Sequence, residues 1–148
     1  MPLAYRAQAF YCGGDAPALP WLQVHEFLDL HLALYPGSDQ SLLNDELSAF
    51  ALTSTLQQSI TALSLGQHKK LQLALALALS DLVSSKTSID SLFLDEGFGT
   101  LDGDTLEVAL AALDALNASG KMIGIISHVE ALKERIPAQI RVEKGAGI

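Results

Sequence analysis

The order of three segments between Ser91 and Ser127 does most to limit the fold. A short apolar run, SLFLD, gives way to a helical pattern, LEVALAALDALNASG, and that to a second apolar run, KMIGIIS. Short unbroken apolar runs are the mark of strands covered on both faces in a parallel sheet. Two such strands joined through a helix are expected to lie parallel, since a parallel pair needs a crossover of a dozen or more residues, usually a helix. A short helix, HVEALKERIP, ended by Pro137, and a last run, AQIRVEK, continue the alternation. The order strand, helix, strand, helix, strand predicts a parallel sheet with right-handed crossovers. Asp102 or Asp104 can cap the central helix, and Asn117 and Gly120 close it.

Upstream, LQLALALALSDLV alternates Leu with Ala at a strict period of two, which taken alone suggests a strand. Leu and Ala are strong helix formers and the run is too long for an ordinary strand, so it is read as a buried helix. Residues 1–61 differ in character, carrying four of the five prolines and most of the aromatic residues. PWLQVHEFLDLHLALYPG reads as a helix opened by Pro20 and stopped before Pro36-Gly37, although LDLHLALY also alternates like a strand. SDQSLLNDELSAFALTSTLQQSI is a clearer helix, capped by Ser38 or Asp39, with Leu43, Leu47, Phe50 and Ala51 at helical spacing. The chain therefore divides into an unassigned, mainly helical region, 1–61, and an α/β region, 62–148.

With 148 residues, 49% of them hydrophobic, the chain can bury a core of its own. No apolar stretch approaches the roughly 20 residues needed to cross a bilayer, and the start lacks the basic flank and apolar centre of a secretory signal. The expected setting is soluble and cytoplasmic, with no membrane partner. Cys12 stands alone, which leaves no internal disulfide and no zinc site of recognisable spacing. Nine Lys and Arg against seventeen Asp and Glu give a net charge of −8. Gripping DNA phosphates requires clustered basic groups, and only Lys69-Lys70 and the tail from Lys133 to Lys144 offer any. Lys69-Lys70 is read as a solvated face, and His25 and His31 as surface or core-edge residues.

Working groups in parallel sheets gather beyond the carboxyl ends of the strands. Asp95 and Glu96 follow the first apolar run there, and Ser127 and His128 the second. An Asp at the end of an apolar strand helps to hold Mg²⁺ in phosphoryl-transfer enzymes of the P-loop type, and a neighbouring acid polarises the attacking water. LFLDE has this Walker B form, which also arises in a plain strand followed by a helix-capping carboxylate. GTLD directly after it, IISH one strand later and LSLGQ at Leu63 to Gln67 stand in the order of the D-loop, switch histidine and signature motif of ABC-type ATPases.

From Leu63 to about Arg141, the chain resembles the C-terminal half of the ATPase head of the SbcC family of exonuclease subunits. The resemblance implies an α/β fold, the parallel-sheet C-terminal lobe of an ABC-type ATPase head. It implies ATP and Mg²⁺ as cofactors, with Asp95 supporting the Mg²⁺, Glu96 as catalytic base and His128 as sensor of the γ-phosphate. Ser64, Gly66 and Gln67 of the signature would meet the γ-phosphate held by a second head of the homodimer, and Asp102 would lie in the loop that communicates across it. A hydroxyl and a bare N–H at the start of a helix make physical sense as an anion site. The implied partners are the N-terminal Walker A lobe, a second ATPase head, the nuclease subunit SbcD, and DNA through the complete complex.

Three departures accompany the resemblance. No G-x-x-x-x-G-K-[ST] is present, and YCGGDAPA, the nearest glycine-rich stretch, lacks both the Lys and a following helix. Leu65 stands where the family favours a glycine after the signature Ser. No coiled-coil pattern precedes the signature. Alone, then, the chain is expected to be inactive for lack of a Walker A lobe. Two further readings are a truncated or recombined, non-catalytic binding protein whose first 60 residues cover the exposed lobe, and a metal nuclease using Asp95, Glu96 and Asp102. His128 and Ser64 also admit the plain role of helix caps.

Overall fold

In the computed structural model, the described residues are 19–35, 38–80, 83–84, 87–88, 91–95 and 98–145. Helix α1, Val24–Leu34, and helix α2, Gln40–Ala49, come first. The PWLQVHEF segment thus leads into a helix that continues through LDLHLAL, and Val24 and Leu28, one turn apart, are its buried contacts. Asp39 caps α2 by accepting from the Ser41 amide at 2.8 Å. The helix ends at Ala49, well short of the expected span to Ile60. Ala51 adopts a left-handed conformation, φ 56°, and the chain breaks into two 3-10 turns, Thr53–Thr55 and Ile60–Ala62. Such a φ is unfavourable for a residue with a Cβ, and it directs Leu52 into the core instead of along the helix.

Helix α3, Leu65–Ser80, is the Leu/Ala repeat. Leu71, Ala74, Leu75, Leu77, Ala78 and Leu79 are all buried. A helix apolar on nearly every side has to be a central one. It packs against α2 and against the helix that follows the first long strand. Leu43 and Leu47 of α2 join the same hydrophobic core as α3, Leu92 and Phe98. The described part of residues 1–61 is therefore integrated with the later region through one core. Backbone bonds tie its ends together, with Val24 N donating to Gln58 O and Ile60 N to Leu22 O.

A small antiparallel pair follows α3, β1 (Val83–Ser84) with β2 (Thr87–Ser88). The expected parallel pair is β3, Ser91–Asp95, beside β4, Met122–Ile126, in the register Ser91 with Met122 through Asp95 with Ile126. Between them lie a 3-10 turn, Phe98–Thr100, and helix α4, Gly103–Ala118. Gly120, φ 92°, makes the left-handed turn that ends this connection. Helix α5, Glu130–Arg135, comes last.

Two further expectations require correction. The sheet is covered on one face only. Leu92, Leu94, Ile123 and Ile125 turn towards the core, while Phe93 is 74% exposed and Met122 and Ile126 are exposed beside it. Their apolar character had implied cover on both faces, and that cover is not supplied by the described residues. AQIRVEK forms no strand either. Ile140 and Val142 are 95% and 94% exposed, and with no strand edge among the described residues beside them, their alternation has nothing to pair with. No helix among the described residues is long and apolar enough to cross a membrane.

Candidate functional site

The parallel register brings the carboxyl ends of β3 and β4 side by side, with Asp95 opposite Ile126. Asp95 is exposed there and, by the strand's period of two, shares the uncovered face with Phe93. Glu96 lies outside the described residues. One residue beyond β4, Ser127 Oγ accepts from the Val129 amide at 3.1 Å, which turns the chain and leaves His128 only partly covered at the sheet end. His128 does not cap α5, whose N-cap position is Val129. Its ring instead lies against the turn after β3. A Cβ built on Gly99 would stand 3.7 Å from His128 Nε2, so the glycine lets the imidazole approach the backbone.

Asp102 closes that turn and opens α4. Its Oδ1 accepts from the Thr105 amide at 2.8 Å, as an N-cap carboxylate does, and its Oδ2 takes the Lys70 ammonium at 3.2 Å. These bonds favour the ionised carboxylate and hold its pKa far below the usual carboxylate value; those to Thr105 contribute most. Lys70 is thus not the solvated residue its sequence suggests. It is 19% exposed and reaches from α3 to the head of α4.

At the start of α3, Ser64 and Gln67 satisfy one another. The Gln67 amide donates to Ser64 Oγ at 3.2 Å, and the Ser64 amide donates to Gln67 Oε1 at 2.9 Å. This reciprocal box fixes Ser64 as the helix cap and leaves the hydroxyl its own proton to donate. Gly66 faces the turn after β3, where an added Cβ would come to 3.4 Å from the Thr100 carbonyl oxygen. Leu65 points into solvent, which accommodates the bulk that departs from the family pattern. Ser64 and Leu65 therefore share an exposed rim with Thr100 and Asp102.

The structure thus gathers two sets of the expected residues. Asp95 and His128 stand at the strand ends, and Ser64, Gly66, Gln67 and Asp102 at the adjoining heads of α3 and α4. Among the described residues, no group of three or more His, Cys, Asp or Glu could hold a metal ion without help. Asp102 is engaged by a lysine, not by fellow carboxylates, which removes it from the ligand set that the metal-nuclease reading needs.

A protein-family model described as SbcC/RAD50-like, Walker B motif, matches residues 47–115. Over residues 47–115 the chain resembles the Walker B segment of that family. The SbcC subunit of the nuclease SbcCD of Pseudomonas aeruginosa is 49% identical over 87 residues, 59% of this chain and 7% of that protein. Its counterpart in Staphylococcus saprophyticus is 49% identical over 100 residues, 66% of this chain and 10% of its own length. The matched stretch is thus a tenth or less of these SbcC relatives. A solved ATP binding subunit of an ABC transporter superposes with a TM-score of 0.76 at 25% identity, over 90% of this chain and 54% of that one. The chain therefore shares its α/β fold with part of an ABC ATPase subunit, and a match that broad necessarily includes much of residues 19–61.

Sequence reasoning missed the clamp between Lys70 and Asp102. Its only signal was Lys70 standing four residues after Gly66, on the same face of α3. It also missed Arg135, whose guanidinium spans Glu107 at 2.8 Å and Asp114 at 3.0 Å and fastens α5 to α4.

Proposed function

We propose that this chain is the C-terminal ATPase lobe of an SbcC-like subunit of an ATP-dependent DNA exonuclease and endonuclease complex, inactive without a Walker A lobe. The observation that carries the reading is that four motifs, from three stretches far apart in sequence, meet around the turn that follows β3. These are Asp95 at the end of β3, the turn from Phe98 to Asp102, His128 after β4, and the capped turn Ser64–Gln67.

The residues present suit part of a Mg²⁺–ATP site. A hard cation takes oxygen ligands and keeps several waters, so one exposed carboxylate such as Asp95 suffices as a support when phosphate oxygens supply the rest. Bound Mg²⁺ would neutralise charge on the transferring phosphoryl group. Ser64 Oγ and the amides of Leu65 and Gly66 would donate to a γ-phosphate presented by a second head. Glu96, following Asp95, is assigned as the base that takes the proton of the attacking water, and His128 as the group that registers the γ-phosphate. Gln67 steadies Ser64 in this arrangement, and Asp102 sets the loop between the heads.

The uncovered face of the β3–β4 sheet is where the complementary Walker A lobe belongs. The described part of residues 19–61 packs on α3 and leaves Phe93 bare, which speaks against a binding protein whose N-terminal part shields the lobe. On this reading residues 62–148 are the motif-bearing unit and 1–61 its helical companion. SbcD and DNA are the partners of the complete assembly, with a second head completing each ATP site.

Reconstitution with a matching Walker A lobe tests the assignment. Glu96→Gln should keep ATP-dependent head dimerisation and stop hydrolysis, because the amide retains the shape but cannot accept a proton. Ser64→Arg should block dimerisation, and Asp95→Ala should weaken Mg²⁺-dependent binding. Hydrolysis near the original rate in both Glu96→Gln and Ser64→Arg would defeat the reading.

A further inference from the structure

Two contacts join the head of α3 to the turn after β3. Gly66 lies so close to Thr100 that a Cβ there would touch its carbonyl oxygen at 3.4 Å. One turn further along α3, Lys70 reaches Asp102 Oδ2 at 3.2 Å. Residues four apart on a helix stand one above the other, so Gly66 and Lys70 present a single face to the turn. The other Asp102 oxygen is bonded to the Thr105 amide. Asp102 is therefore held from both sides, by its own helix and by α3.

We propose that Lys70 is a positioning residue that couples the signature turn, Ser64–Gln67, to the D-loop, Gly99–Asp102, so that the two move as one body. The names of these two segments, and any consequence for ATP turnover, rest on the function proposed above. The clamp rests only on the contacts. Lys70 suits the task because its stem is largely covered while its ammonium emerges at the carboxylate, which fixes direction as well as charge. An ion pair at a surface of this kind adds little to global stability. Its effect is instead local, on the exchange between open and closed forms of the two turns. Without the clamp, the helix-capping turn at Ser64 and the capping carboxylate at Asp102 would each fluctuate independently. Two heads closing on one nucleotide would then have to order both.

Backbone amide hydrogen exchange on the 148-residue chain tests the clamp directly. Lys70→Met, which keeps the stem and removes the charge, should raise exchange at Thr105 and at Gln67 together, each about fivefold or more. The melting temperature should barely move, and Lys70→Arg should restore wild-type exchange to within about twofold. Unchanged exchange at both amides in Lys70→Met overturns the proposal, as does an increase at Thr105 alone.

The reconstituted head supplies the second readout. There Lys70→Met should lower kcat about tenfold with the KM for ATP unchanged, and Lys70→Arg should recover it. Altered exchange with an unaltered kcat would overturn the positioning role. A reconstituted wild-type head that hydrolyses no ATP would defeat the proposed function instead, and the exchange result would then decide the coupling of the two turns by itself.

Discussion

The ring of Phe93 lies across Gly124, its partner on the neighbouring strand, so closely that a Cβ on Gly124 would stand 2.6 Å from two of the ring carbons. Both residues are on the uncovered face of the sheet, and the ring occupies the space that a side chain would need. Gly124→Ala should therefore swing Phe93 away. Because the ring is already largely in water, the change in stability should stay within about 1 kcal/mol. A large fall in the urea midpoint would show that the ring has no room to move.

Exposed apolar surface of this kind promotes self-association. Replacing Phe93 with Ser should lower the apparent mass in light scattering and reduce binding of a hydrophobic dye, with the melting temperature preserved. A wild-type chain that is monodisperse at every concentration, with no change in Phe93→Ser, would contradict this.

The core should respond very differently. Leu75, in the middle of α3, is fully buried, and truncation to Ala should cost about 2–5 kcal/mol through lost contacts and the cavity left behind. Leu65, at the start of the same helix but exposed, should cost no more than about 0.5 kcal/mol when replaced by Ala. Urea unfolding of the two variants measures the contrast.

The pH dependence has a definite sign. Folding lowers the pKa of Asp102 below the ordinary value of 3.8, so its contribution to stability is complete above that value. It is lost as pH falls from there through the lower folded-state pKa. The stability difference between wild type and Asp102→Asn should therefore be constant near neutrality and shrink as the pH drops below about 4. A gap that widens under acid would contradict the bonds assigned to this carboxylate.

Arg135 offers a salt-dependent counterpart. Its ion pairs with Glu107 and Asp114 are exposed and screened by added salt. Arg135→Gln should raise amide exchange in α5 at low ionic strength, and the difference from wild type should narrow in about 1 M salt.

Much of this was legible in the sequence. Composition and length identified α3 as a helix in spite of its alternating Leu and Ala, because together they outweighed the period. Asp39 and Asp102 were both named as possible caps, and the strand–helix–strand order implied the parallel pair. What escaped depended on neighbours. SLFLD has the composition of a doubly covered strand, and nothing local tells that Phe93 faces no partner among the described residues. Ile140 and Val142 alternate like a strand, but a strand exists only by pairing. Leu52 turns inward because Ala51 accepts a left-handed backbone, which its residue type disfavours. The site followed the same division: motif residues were visible one at a time, whereas the grip of Lys70 on Asp102 spans two helices far apart in sequence. Cys12, Glu96 and the glycines of YCGGDAPA lie outside the described residues.

The parallel pairing of β3 with β4 also sets an order on folding. Ser91 meets Met122 only after the whole of α4 has been placed between them, so the sheet must wait for a long loop to close. Contacts within α2 and within α3 are local and can form sooner. During synthesis the helical part would leave the ribosome first and collapse around α3, and β3 would stay without its neighbour until β4 followed. For that interval the SLFLD segment is an unpaired apolar strand, the species in this chain most exposed to aggregation.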